Sequence, residues 1–161
     1  MGLLDVQRLL CRDGVDVVEA SGAFFFTYDP DGDLPQDRWL PFATIVTDDS
    51  SDSASDLSRS DAYRLNLGLT TATYTSMFGP APTERDADGV LRSGFDYTRP
   101  DVVMPHPIYA VQHWVCVVNP SAATIERLRP LIDDAYDFAV RKHTNHKARR
   151  SADEWRTAGS E

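Results

Sequence analysis

An α+β fold is the class this sequence predicts: a single domain with a mostly antiparallel sheet of five or six strands and helices packed on one face. Three observations lead there. Helix-like and strand-like segments follow one another irregularly, as helix, three strands, a fourth strand, helix, one or two strands, helix, which no regular βα repeat would give. Tyr63, Leu65, Leu67 and Leu69 alternate with Arg64, Asn66 and Gly68, a clean period of two. Ile125, Leu128, Ile132, Ala135 and Ala139 recur at spacings of three and four, the stripe of a helix laid on a core.

The elements follow in order. Leu3, Val6, Leu9 and Leu10 have helical spacing, and Gly14 beyond them can take the left-handed conformation that stops a helix. Val15–Glu19 and Ala23–Tyr28, rich in β-branched and aromatic residues, form a hairpin about Ser21-Gly22. Asp29-Pro30-Asp31-Gly32 is a turn, and a second turn-rich stretch leads to Pro41. Phe42–Thr47 is the next strand, followed by a polar loop from Asp48 to Asp61. The alternating strand comes after it, with one face buried and the other polar. Thr70 or Thr71 caps a helix with Tyr74, Met77 and Phe78 turned inward, and Gly79-Pro80 ends it.

Residues 80–100 form a loop long enough to be functional or disordered. Val102–Met104 is a short strand cut off by Pro105-His106-Pro107, and His113–Val118 reads as a central strand. Ser121 caps the closing helix. A proline inside a helix costs about 3 kcal/mol, so Pro130 predicts a short turn to Leu128 and then a longer helix with the proline in its first turn. Residues 1–143 make the domain, and residues 144–161 a basic, disordered C-terminal tail frayed from that helix.

The 161 residues hold 16 Lys and Arg against 25 Asp and Glu, a formal charge of −9. Residues 1–140 carry 10 cations and 22 acids, whereas 141–161 carry 6 and 3. So acidic a body repels phosphate backbones, which makes nucleic acid an unsuitable partner. No stretch approaches the roughly 20 apolar residues of a membrane span. Cys11 and Cys116 stand among aliphatic neighbours and read as small buried hydrophobes, and the N-terminus has no secretory pattern, so the expected location is the cytoplasm.

Three stretches carry a resemblance: Pro41-Phe42-Ala43-Thr44-Ile45-Val46-Thr47; Asp56-Leu57-Ser58-Arg59 through Tyr63-Arg64-Leu65-Asn66; and Met104-Pro105-His106-Pro107 through Trp114 to Asn119-Pro120. Over about Phe25 to Arg141 the chain resembles an actinobacterial family of unknown function, the one numbered 6194 in domain catalogues. That resemblance implies a small cytosolic protein and carries no catalytic residues. The C-terminal half, through His113-Trp114 and Asp134-Ala135-Tyr136, is also similar to MmcQ/YjbR-like proteins, which implies a frataxin-like arrangement. Members of that group are sometimes labelled DNA-binding, a label the acidic body opposes.

Five side chains are candidates for a site. Arg64 and Asn66 point the same way about 7 Å apart on their strand, so a guanidinium and an amide can grip a carboxylate or phosphate together. Alternatively, Arg64 pairs with an acid of the 48–61 loop. His106 is held between two prolines and can act as base, acid or ligand-binding group. Arg59 and Trp114 flank the cleft; His113 and Trp114 point to opposite strand faces, so at most one of them lines it. Asp48-Asp49-Ser50-Ser51-Asp52 spells a magnesium-diphosphate pattern, but outside the helical context that pattern needs it reads as a solvated acidic turn. His143 and His146 are neighbours on a helix, two ligands and too few for a metal site.

Neither a metal nor a cofactor is implied. The reading is a binding or interaction domain whose polar cleft, partly covered by residues 80–100, takes an anionic small molecule or a peptide end. The alternative is a small enzyme with His106 as general acid or base and Arg64 as electrostatic clamp. A homodimer through an apolar surface is a third expectation.

Overall fold

The structure, a computed structural model, describes residues 2–34 and 40–158. The turn-rich approach to Pro41 therefore lies partly outside the described residues. Chain order is α1 (Leu3–Leu10), β1 (Val15–Ala20), β2 (Ala23–Tyr28), β3 (Ala43–Val46), β4 (Arg64–Gly68), α2 (Thr71–Phe78), β5 (Met104–Pro105), a 3-10 turn (Ala110–Gln112), β6 (Trp114–Val118) and α3 (Ala122–Ala158). The strands form one open sheet in the order β1-β2-β3-β4-β6-β5, every neighbouring pair antiparallel. The α+β class holds.

Register assigns the two faces. Phe26, Ala43, Leu67 and Val115 stand in one row across the sheet, and Phe24, Ile45, Leu65 and Val117 in another. These rows meet Val6 and Leu10 of α1, Tyr74 of α2 and the Ile125–Ala139 stripe of α3 in the main core, so the helices do cover one face. The intervening rows, Phe25-Thr44-Asn66-Cys116-Met104 and Ala23-Val46-Arg64-Val118, belong to the opposite face. A smaller apolar cluster of Ala23, Val46, Leu57, Ala62 and Val118 packs there. β4 is accordingly buried on both sides rather than on one.

The ends of the elements follow from local chemistry. In the β1–β2 hairpin, Ser21 and Gly22 both have positive φ, the primed-turn geometry that matches strand twist. Thr70 Oγ1 accepts from the Thr73 amide to start α2, and Ser121 Oγ accepts from the Thr124 amide to start α3. Cys11 is exposed, contrary to the expectation, because the chain has already left the core one residue after α1 ends; Cys116 is buried as expected.

Two features of α3 depart from the sequence reading. Pro130 lies inside one continuous helix. Its ring is on the solvent side, while Ile125, Leu128 and Ile132 on either side of it are fully buried. Burying each is worth about 1.5–3 kcal/mol, together more than the proline costs, and this keeps the turns in line. The backbone also stays helical to Ala158, through the segment expected to be disordered, where Arg, Lys, Ala and Glu favour helix. Lys147 ties this half to the 29–33 turn, with Nζ 2.6 Å from Asp31 and 3.1 Å from Asp33. Among the described residues no helix is long and apolar enough to cross a membrane.

Candidate functional site

The second face of the sheet carries a cavity of about 620 Å³. Its floor is polar, made of Arg64 and Asn66 of β4 with Asp52 and His106 from the adjoining loops. Its walls are largely aromatic: Phe25, Phe42, Tyr109, Trp114 and Phe138. Trp114 lies against the sheet because β4 ends in glycine: a Cβ on Gly68 would stand 2.8 Å from the indole.

Arg64 is the centre of the floor and only 1% exposed. Its Nη1 and Nη2 donate to the two carboxylate oxygens of Asp52 at 3.0 and 2.8 Å, a bidentate pair. Nη1 also donates to Ser55 Oγ at 2.9 Å, and Nε to Asn66 Oδ1 at 2.9 Å. The Asn66 amide in turn donates to Thr44 Oγ1 at 2.9 Å. Of five guanidinium N–H groups, these bonds use four. The second reading of Arg64, a partner for the acidic loop, is therefore the one observed, and a ligand anion finds little of this charge to grip.

Asp52 reaches the floor because the 48–62 loop folds back over the sheet. Leu57 plugs into the small apolar cluster, its amide donating to Asp49 Oδ1 at 2.8 Å, and Asp52 Oδ1 caps the Ala54 amide. The expected solvated acidic turn is a built wall instead. Burial raises the Asp52 pKa, but the Arg64 hydrogen bonds and charge outweigh it, so the carboxyl ends below the usual range.

His106 lies just past β5, and its Nδ1 accepts from the Ile108 and Tyr109 amides, each at 3.0 Å. Two N–H groups aimed at one ring nitrogen require a lone pair there, which assigns the proton of the neutral ring to Nε2. That Nε2 lies 3.4 Å from Arg64 Nη2. Two N–H donors thus stand side by side with no acceptor between them among the described residues. Burial first, then the Arg64 charge, pushes the His106 pKa down to about 3 against the opposing pull of Asp52. Near neutrality the ring is uncharged, and its one free nitrogen already holds a proton. This leaves it neither an acidic proton to give nor a lone pair to take one, so the general acid–base role lacks support. Burial likewise pushes the neighbouring Cys116 thiol up to about 12, so it is no thiolate nucleophile.

Of the five candidates, Arg64, Asn66, His106 and Trp114 converge on the cavity and Arg59 does not. Arg59 donates to the backbone carbonyls of Ser55, Asp56 and Thr98, so it pins loops together outside the cleft. His113 and Trp114 both line the cavity, against the alternation argument, because His113 has φ 68° and precedes the strand proper. Residues 80–100 do not cover the cleft: none of them lines it, and Leu91 instead joins the main core. Sequence reasoning missed Phe25, Phe42, Phe138 and Lys142 as lining residues. One signal was available, since Phe24-Phe25-Phe26 places aromatic rings on both faces of β2, which requires both to be covered.

Among the described residues no three His, Cys, Asp or Glu side chains gather as a metal-holding group. His143 packs edge-on against Tyr28 with Asp31 3.9 Å away. No curated protein and no solved structure matches the chain. A family profile does match, across residues 5–149, covering the whole sheet, the cavity floor and most of α3, and by that match the chain belongs to the family of unknown function DUF6194.

Proposed function

We propose that this protein is a small-molecule binding domain whose cavity takes a compact ligand with a flat apolar body and an oxygen acceptor at its inner end. The observation that carries the reading is the pair of N–H groups on His106 Nε2 and Arg64 Nη2, 3.4 Å apart at the floor of an aromatic-walled cavity. A buried donor without an acceptor costs about 1–3 kcal/mol, so a site holding two is poised for an atom that accepts from both. A carbonyl oxygen does this. Apolar walls with a few convergent polar groups are what small-ligand sites are made of. Arg64 then acts as one arm of a fixed donor pair and as the strut that holds Asp52, not as the anion clamp expected from sequence.

Ligand-observed NMR against a fragment library tests this. Hits should be enriched in aromatic carbonyl compounds, should shift the Gly68 amide and the Trp114 indole N–H, and should be lost when Thr44→Phe fills the cavity. Hits that are indifferent to Thr44→Phe, or that leave Gly68 and Trp114 unmoved, would overturn it.

A further inference from the structure

Resting on that reading, we infer that Lys142 is the charge anchor of the cavity and that the ligand is an organic acid, its acid group turned toward α3 while its acceptor oxygen meets the floor. The two anchors are separate. With the Arg64 charge matched by Asp52 inside the protein, the floor is neutral, and the lining cation left over is Lys142. Phe138, four residues earlier on α3, lines the same cavity, and Lys142 Nζ sits 4.2 Å from its ring centroid. A ring face holds an ammonium by its quadrupole without neutralising it.

Lys142 forms no ion pair among the described residues. The carboxylates of the nearby 29–33 turn, Asp31 and Asp33, are held by Lys147 one turn further along, at 2.6 and 3.1 Å. His143 also faces Asp31, at 3.9 Å. The helix thus assigns its acidic neighbours to Lys147 and leaves Lys142 uncompensated beside an apolar wall. Partial burial against the apolar wall lowers the Lys142 pKa, while the residue as a whole stays exposed and so within reach of an incoming acid group. Lys142 and Leu40 also border a smaller cavity of about 160 Å³ beside Tyr28, His143 and His146. An acid group at Lys142 therefore lies where the two spaces meet.

Two dyes of one shape separate this inference from the one it rests on. N-phenyl-1-naphthylamine is neutral, and 8-anilinonaphthalene-1-sulfonate is the same skeleton with a sulfonate. In fluorescence titrations both should bind the intact protein, and Trp114→Ala should weaken both. Lys142→Gln should weaken the sulfonate about tenfold, the loss of one charge-assisted contact, and leave the neutral dye unchanged. Lys142→Arg should recover most of that loss. If both dyes bind and Lys142→Gln treats them alike, the anchor is wrong and the cavity stands. If neither binds, or Trp114→Ala affects neither, the binding domain fails and the anchor with it.

Discussion

Asp52, Arg64 and His106 each change character through the other two. Arg64 holds the Asp52 carboxyl below its usual pKa, and burial with the Arg64 charge holds His106 near 3. The consequence is a stability that falls with acid in two stages. A histidine whose folded pKa lies below its unfolded value of about 6.5 takes up its proton only on unfolding, so stability is full above pH 6.5 and declines between there and pH 3 by up to about 1.4 kcal/mol per unit. Asp52 adds a second loss only below its ordinary value of 3.8. Urea midpoints measured from pH 8 to 4 should fall for the wild type and stay nearly level over that range for His106→Gln. Arg64→Met, by contrast, strands the Asp52 carboxylate and the Asn66 carbonyl in a buried floor. It should cost about 3 kcal/mol in urea unfolding at pH 7, and a change under 1 kcal/mol would mean the pair is solvated.

Much of this floor could be read before any coordinates. Alternation put Arg64 and Asn66 on one side of β4, and two prolines marked His106 as fixed. Their partner could not be read, because the 48–62 loop holds five carboxylates and the choice of Asp52 depends on where Leu57 docks. Charge composition predicted that some acid would meet Arg64. Only tertiary packing decided which one, and with it the loss of the anion clamp.

At the scale of elements, β4 and β6 make the cavity wall through a missing side chain. Gly68 stands opposite Trp114 in the ladder, and the indole occupies the volume a Cβ would need. Gly68→Val should push the indole off the sheet at a cost of about 1–3 kcal/mol. The indole N–H resonance of Trp114 should move while that of the exposed Trp155 stays in place. Helical periodicity placed α1 and the buried stripe of α3 correctly because burial and period coincide there. It also located α2, but of the three side chains expected inward Met77 is exposed, because this short helix buries only Tyr74 fully. Periodicity failed at Pro130 and past residue 143, where the propensity argument met contacts made by residues far along the chain: the core under Ile125 and Ile132, and the 29–33 turn under Lys147.

For the whole molecule, the sheet has a dry face sealed by three helices and a second face that is half apolar cluster and half cavity. β4 sits between them, flanked on both edges by full antiparallel ladders and buried from above and below. That position sets a clock. Peptide amides exchange with deuterated solvent only when their strand opens, and a central strand opens last. The amides of Leu65 to Leu67 should therefore be the slowest in the protein to take up deuterium, at the rate of global unfolding, while those of the edge strand β1 exchange far sooner. Because Arg64 and Asn66 ride on that same strand, the donor that the proposed ligand would meet is bolted to the part of the chain that lets go last.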